Sequence, residues 1–432
     1  LDSVLRSSLY AHFSETLTGL PIIRAYREQE RFSRNNEAFL DIENRAYFLI
    51  ICILRWLAVR LEIIANILIF FASLFAIIFR FNILPSITGL VLSYALQVTL
   101  YFDWCIRHIS EVEANMNSVE RLVYYSDKLE VEAENIIPDN RPPPGWPARG
   151  EIHIKNLEIK YGPDSPLVLK GISVNIMATE KIGIVGRTGC GKSTLATSFF
   201  RFIEATSGSI VIDDIDISTI GLKDLRSNIT IIPQDPVLFN GTIRSNLDPF
   251  NEHNDLELWN ALRRVHLIKN SNPTSEKEPE ELEDIHSISD LKSNKQEPIT
   301  LDLPVTENGT NFSQGQRQLI ALARALVRHP KLIILDEATA SVDFKTDHLI
   351  QTTIRKEFKE STVITIAHRL RTIADYDRIL VMDAGIVVEF DIPYLLMQKP
   401  GGWFRGLCDR SGEFTELMEI AKQKYECISS IH

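Results

Sequence analysis

The 432-residue sequence is poor in cysteine and has no excess of basic residues. Its cysteines are odd in number and widely scattered, at Cys52, Cys105, Cys190, Cys408 and Cys427. No spacing among them is typical of a metal site or of a disulfide framework, which favours a reducing compartment. Acidic residues outnumber basic ones and give a formal net charge of −11. Because binding to nucleic acid requires clustered Lys and Arg, this balance argues against a nucleic-acid partner.

The sequence also lacks an initial methionine and a recognisable signal peptide, since it starts at Leu1 within a helix-like segment. We therefore expect it to be a piece of a longer polypeptide. A processed mature N-terminus is the alternative.

Long apolar runs are confined to the first quarter of the sequence. Segments 61–80 and 85–104 are predominantly apolar, and each is close to the ~20 residues that span a bilayer. Arg60 precedes the first segment and Arg107 follows the second. By the positive-inside rule, both outer ends of this hairpin are expected on the cytoplasmic side. The alternative is a buried helical hairpin in a large soluble protein.

The remaining sequence predicts a linker, a soluble domain and a tail. Consecutive prolines in PDNRPPPGWP predict a stiff, extended linker over residues 131–150. From residue 151 to 408, short β-branched runs alternate with helical segments, which is typical of an α/β domain with a largely parallel sheet. Residues 409–432 are expected to form a C-terminal helical tail.

One segment, about 270–300, interrupts this alternation. It is rich in Glu, Ser, Lys and Pro and has few large apolar residues, so we expect a disordered acidic insert. Phosphorylation within it, at Ser275, Ser287 or Ser289, is a hypothesis for a regulatory role.

The most specific motif is the loop GRTGCGKST, which follows the apolar strand 182–185 directly. In the pattern G-x-x-x-x-G-K-[ST], the glycines let successive backbone N–H groups turn towards phosphate oxygens. Lys192 is expected to reach the β- and γ-phosphates of ATP, and the Ser193 hydroxyl is expected to bind Mg²⁺. The predicted nucleotide-binding residues of this loop are Gly186, Arg187, Thr188, Gly189, Cys190, Gly191, Lys192, Ser193 and Thr194.

A second apolar strand, at 331–335, ends in Asp336 and Glu337. An acid at the tip of such a strand can hold Mg²⁺ through water, and the next carboxylate can orient or deprotonate the attacking water. Alone, an Asp-Glu pair in this position is usually a solvated strand end. With a phosphate-binding loop upstream, it predicts the second half of a nucleotide site.

Two further stretches make the sequence resemble the ATP-binding-cassette family. They are NFSQGQRQL at 311–319, similar to the LSGGQ signature, and LDEATASVD at 335–343. The resemblance covers residues 151 to about 408. It implies an α/β P-loop NTPase domain with the helical subdomain of this family, joined to an α-helical transmembrane segment of the exporter type.

The resemblance also implies roles for single residues. Tyr161 is expected to stack on adenine, Gln234 to bind Mg²⁺ and water, and His368 to contact the γ-phosphate. Residues 341–343 fit the D-loop. The implied catalytic residues are Glu337, His368 and Lys192, the implied Mg²⁺ ligands are Ser193, Gln234 and Asp336, and the signature residues that face an ATP on an opposing domain are Ser313, Gln314, Gly315 and Gln316.

The N-terminal part is similar to the second membrane domain of multidrug-resistance-associated (C-type) exporters, through YAHFSETLTGLPIIRAYREQERF, RWLAVRLE and SYALQVTLYFDW. Residues 1–130 would then be the end of that domain, with a coupling helix at about 5–16. The implied partners are the first nucleotide-binding domain and the first membrane domain of the same transporter. The implied location is the plasma or vacuolar membrane, with a cytoplasmic nucleotide-binding domain.

One position departs from the family pattern, and two others leave alternatives open. Gln314 replaces the first glycine of LSGGQ, which in C-type exporters belongs to the weakly hydrolysing site, so Lys192, Asp336 and Glu337 would serve the competent one. Cys190 is either a reactive thiolate or a small loop residue. Trp104 is either a substrate contact or an interfacial anchor.

The resemblance implies an ATP-driven exporter of amphipathic organic anions, conjugates or drugs. The alternatives are an ATP-gated channel or channel regulator, and a soluble cassette ATPase acting in translation or on DNA.

Overall fold

A computed structural model describes residues 2–79, 81, 84–268, 299–336, 344–367 and 369–429. It divides into two compact units, Leu1–Val131 and Glu132–His432. The predicted insert at 270–300 lies outside the described residues except for its last two positions.

The described part of the first unit is helical. Its helices are α1 (Asp2–Thr18), α2 (Leu20–Tyr26), α3 (Gln29–Ile78) and α4 (Pro85–Asp127). The 50 residues of α3 contain no proline, so no backbone N–H is missing from its hydrogen-bond ladder. The proline-free stretch from Ile22 to about Phe79 predicts one long helical run. This was wrong, because Arg27 adopts a left-handed conformation (φ 57°) that ends α2.

Helix α3 is long and apolar enough to cross a membrane, and among the described residues it alone meets that criterion. Apolar side chains such as Ile64, Phe70 and Ile77 are exposed along it. Such a surface is stable only in apolar surroundings. The second predicted span, 85–104, lies within α4 and remains a prediction.

Helix α1, which contains the predicted coupling helix, packs against α3. The His12 ring lies between Phe32 and Phe39, with centroid distances of 5.6 and 5.3 Å. Tyr10 and Phe13 of the same helix are exposed.

The described part of the second unit contains three sheets. Its strands are β1 (Ile152–Ile159), β2 (Leu169–Ile176), β3 (Lys181–Gly186), β4 (Ser207–Ile212), β5 (Ile215–Asp216), β6 (Ile229–Ile232), β7 (Gly241–Thr242), β8 (Pro304–Val305), β9 (Leu332–Asp336), β10 (Thr362–Ile366), β11 (Arg378–Asp383) and β12 (Ile386–Asp391). The six-stranded sheet has the order β12-β11-β3-β10-β9-β6 and is parallel except for β12, as predicted. An antiparallel sheet, β2-β1-β4-β5, and the pair β7-β8 were not predicted.

Nine helices of the described residues complete this unit. They are α5 (Lys192–Ser198), α6 (Leu222–Asn228), α7 (Ile243–Leu247), α8 (Asp255–Arg264), α9 (Gln314–Arg328), α10 (Phe344–Glu357), α11 (Pro393–Gln398), α12 (Trp403–Ser411) and α13 (Phe414–Ser429). One core cluster joins the two larger sheets around Phe199, a second joins α7, α8 and α9 around Leu258 and Leu322, and a third holds α11–α13 around Phe404. Full burial of a side chain such as Phe199 contributes about 2–3 kcal/mol.

The predicted linker is packed against the domain that follows it. Trp146 is buried, and its indole Nε1 donates a 3.0 Å hydrogen bond to the Ile212 carbonyl. The carbonyls of Glu134 and Asn135 accept from the first backbone N–H groups of α6, at 3.1 and 2.9 Å. The linker therefore satisfies the otherwise unpaired donors at the start of that helix.

Candidate nucleotide-binding site

The phosphate-binding loop starts where the buried strand β3 ends. Strand β3 lies between β11 and β10, and the chain turns back after Gly186 to open α5 at Lys192. Gly191 has φ 100°, and a Cβ there would lie 2.7 Å from a methyl carbon of Leu169. The left-handed backbone at this position is the condition that favours glycine, because other residues rarely adopt it.

Lys192 is almost completely buried within the loop. Its ammonium donates hydrogen bonds to the carbonyls of Gly186 at 2.9 Å and Arg187 at 3.1 Å. A buried ammonium needs such partners, and these two hold its charge at the mouth of the loop. The next residue, Ser193, is exposed.

Tyr161 lies just after the end of β1 and contacts the last residue of the same loop. Its hydroxyl lies 2.9 Å from Thr194 Oγ1, and either oxygen can donate. The ring itself remains 64% exposed. It is therefore held beside the loop with a face free to stack on a planar ligand.

The sheet brings three separate parts of the chain to one edge. In register, Ile366 of β10 lies opposite both Ile184 of β3 and Asp336 of β9, and Ile232 of β6 lies opposite the residue before Asp336. These strands are parallel, so the phosphate-binding loop, Asp336 and the segment after β6 that contains Gln234 share the carboxyl edge. Ligands of open α/β sheets bind at this edge.

Some predicted residues lie outside the described part of the chain. They are Glu337, the D-loop at 341–343 and His368. The residues before two of these gaps, Asp336 and Ala367, lie at the carboxyl edge of the sheet.

The signature residues form the start of α9. The Ser313 hydroxyl accepts from the Gln316 N–H at 3.2 Å, and Gln316 Oε1 accepts from the Ser313 N–H at 2.9 Å. This capping box holds the helix start rigidly. Gln314 Nε2 donates to Asp235 Oδ1 at 2.9 Å, a contact that the sequence did not predict.

The arrangement fits ATP with Mg²⁺. Among the described residues, no group of three or more His, Cys, Asp or Glu side chains could hold a metal alone. Ser193 and Asp336 offer only hard oxygen donors. Mg²⁺ usually takes one or two protein ligands and completes its shell with phosphate oxygens and water, so this small set suits a nucleotide-bound ion.

Two remaining candidates differ in their surroundings. Cys190 is 4% exposed and belongs to the domain core, and its carbonyl accepts from Gly385 N–H at 3.2 Å. This position favours its role as a small loop residue. Trp104 on α4 is exposed, and its ring lies edge-on to His108 with a centroid distance of 4.2 Å. An exposed ring is compatible with a substrate contact and with an interfacial anchor.

Two family models match the chain and together cover well over half of it. The model described as "ABC transporter" matches residues 169–340, and the model described as "ABC transporter transmembrane region" matches residues 2–102.

Similar proteins support the same assignment. "ABC-type transporter cicA" of Emericella nidulans is 51% identical over 95% of this chain and 29% of its own length. "ATP-binding cassette sub-family C member 2" of Homo sapiens is 47% identical over 94% of this chain and 24% of its own length. A solved structure titled "Structure of a bacterial Atm1-family ABC exporter with ATP bound" has a TM-score of 0.75 at 27% identity, covering 95% of this chain and 68% of its own. The chain spans about a quarter of the length of its curated relatives. It carries an ATP-binding domain and a membrane region, and it belongs to the ATP-binding cassette transporters of the C subfamily.

Proposed function

We propose that this chain is part of an ATP-driven exporter of amphipathic organic anions, conjugates or drugs. The observation that carries the proposal is the meeting of the phosphate-binding loop, Asp336 and Gln234 at one sheet edge, in a chain that also has an apolar helix of membrane-spanning length. Relatives add support, since two of them are described as a "Pleiotropic ABC efflux transporter of multiple drugs YBT1" and an "ATP-dependent bile acid permease".

In the proposed mechanism, the loop amides and Lys192 bind the β- and γ-phosphates of ATP. The ammonium exchanges its two carbonyl partners for phosphate oxygens, which are stronger acceptors. Ser193, Asp336 and Gln234 would hold Mg²⁺, which would neutralise charge on the phosphates. Glu337 orients or deprotonates the attacking water.

The signature loop of this chain serves a second ATP. Ser313 and Gln316 present the rigid start of α9 to a nucleotide held by the first nucleotide-binding domain. In return, that domain's signature completes the site built on Lys192. Two unequal ATP sites therefore share this chain, and the one with Glu337 is the proposed hydrolytic site.

A groove of about 450 Å³ lies beside the segment that contains Gln234. Phe239 and Val237 are exposed along it, and Arg324 donates to the Val237 carbonyl at 2.9 Å. Burial, with Arg328 nearby, lowers the pKa of Arg324 to about 10, so it remains charged at neutral pH. We propose that a coupling helix of the full-length transporter fills this groove and moves with the ATP domain.

The soluble-ATPase alternative does not fit, because residues 2–102 match a transmembrane family. The proposal is tested by uptake into inside-out vesicles that contain the full-length protein, with a panel of conjugated organic anions. ATP-dependent uptake is expected for the wild type and should be lost in Glu337→Gln. Nucleotide-gated ion current without uptake would instead establish the channel alternative.

A further inference from the structure

One face of α9 is fastened to the chain segment that leaves β6. Gln314 and Gln318 are four residues apart, so they lie on the same face of the helix. Gln314 Nε2 donates to Asp235 Oδ1 at 2.9 Å. Gln318 Nε2 reaches the Pro233 carbonyl at 3.4 Å.

The contact between Gln318 and Pro233 supports the contact between Gln314 and Asp235. Gln318 is 1% exposed, and its carbonyl oxygen has no hydrogen-bond partner in the structure. Burial leaves the Gln318 side chain little freedom, and its long contact with the Pro233 carbonyl keeps it against the segment after β6. Gln314, one turn earlier and partly exposed, is thereby placed opposite Asp235.

The Gln314–Asp235 hydrogen bond joins two loops with different proposed tasks. Gln314 follows Ser313 in the signature loop, which faces the ATP of the opposing domain. Asp235 follows Gln234, which faces the ATP of this chain. A glycine at position 314 has no side chain and could not make this contact.

We propose that Gln314 is a positioning residue that couples the two ATP sites through Asp235. The inference depends on the proposed function, because it requires an opposing domain with its own ATP. Binding of ATP against Ser313 shifts the start of α9, and the hydrogen bond carries that shift to Gln234. Gln314 replaces the first glycine of LSGGQ, a replacement that belongs to the weakly hydrolysing site. In this proposal, the same side chain connects the signature loop to the hydrolytic site.

Four versions of the full-length protein test this link: wild type, Gln314→Glu, Gln314→Gly, and the double variant Gln314→Glu with Asp235→Asn. Gln314→Glu places two carboxylates together, and Gln314→Gly removes the donor without adding charge. The double variant restores one donor and one acceptor in exchanged positions, and its net charge equals that of the wild type. It is therefore the matched control.

The measurement is the binding isotherm of the slowly hydrolysed analogue ATPγS. We expect cooperative binding in the wild type, a Hill coefficient near ~1 in both single variants, and recovery in the double variant. The apparent affinity should fall roughly fivefold in Gln314→Gly, the factor for one net hydrogen bond. Equal Hill coefficients in all four proteins, non-cooperative wild type, or a double variant that behaves like Gln314→Glu would each overturn the coupling. Loss of vesicle transport alone, with cooperative binding intact, would count against the proposed exporter function and not against the link.

Discussion

The Tyr161 hydroxyl and the Thr194 side chain are 2.9 Å apart, which ties a strand-end aromatic to the helix behind the phosphate-binding loop. The hydrogen bond holds the exposed ring beside the place where the loop would bind phosphate.

This relationship separates two contributions of Tyr161 to ATP binding. Tyr161→Phe keeps the ring and loses the tether, so we expect the KM for ATP to rise about two- to fivefold with little change in kcat. Tyr161→Ala also loses stacking and should raise KM further. Steady-state ATPase assays on the full-length protein give both constants. A Phe variant as impaired as the Ala variant would show that the tether, and not the ring, matters.

Lys192→Ala should reduce ATP hydrolysis by at least about a hundredfold, because the variant loses the ammonium that would stabilise charge on the transferring phosphate. The measurement is vanadate-sensitive ATPase activity. Lys155→Ala is the control, since Lys155 is an exposed lysine on β1. Comparable loss in both variants would remove Lys192 from its proposed role.

Phe239 tests the groove. Its side chain is 70% exposed, so Phe239→Ala should leave folding and ATP binding intact. If a coupling helix packs on it, transport per ATP hydrolysed should fall severalfold, because the loss of a buried aromatic anchor weakens docking. Phe250 is 69% exposed but does not line the groove, which makes Phe250→Ala the matched control. Equal coupling ratios in the two variants would argue against the groove.

Asp213 predicts a pH dependence of stability. Burial opposes its ionisation, but hydrogen bonds from the backbone N–H groups of residues 149, 150 and 151, at 2.7, 3.1 and 2.8 Å, outweigh this and lower the pKa of the carboxyl. A carboxyl with a lowered pKa stabilises the fold above its unfolded pKa of about 4 and loses that contribution as the pH falls further.

Asp213→Ala should therefore lower the midpoint of thermal unfolding at pH 7 and have a smaller effect at pH 3.5. The buried Trp146, which precedes residues 149–151, reports the transition by fluorescence. An equal decrease at both pH values would mean that the ionised carboxylate is not the stabilising form. Asp214→Ala is the control, because Asp214 shares the left-handed backbone (φ 66°, against 45° for Asp213) and, among the described residues, pairs only with an exposed arginine, Arg149. Its effect on the midpoint should be the same at both pH values.

Contiguous patterns predicted much of this structure. The loop Gly186–Thr194 could be identified because all of its phosphate-binding residues are consecutive in the sequence and follow an apolar strand. The parallel sheet followed from alternating strand and helix segments, and β10 (TVITI) is buried throughout, as expected for a central parallel strand.

Long-range pairing could not be predicted in the same way. Strand β1 pairs with both β2 and β4, and its register contains irregularities that no local pattern indicates. Gln314 and Asp235 are 79 positions apart, and a Gln and an Asp at the surface have many potential partners in any sequence. The break at Arg27 was missed because a non-glycine residue in the left-handed region carries little local signal.

The docked linker has a practical consequence for recombinant work. An ATP domain produced from residue 151 would lack the indole that donates to Ile212, the carbonyls that cap α6, and Arg141, which forms an ion pair with Asp224 at 2.8 Å. Such a protein would expose apolar surface and be prone to aggregation. A domain that begins at Glu132 retains all three contacts, together with the pairing of Glu132 with Arg226. The soluble yield of these two proteins measures how far residues 132–150 are part of the ATP domain.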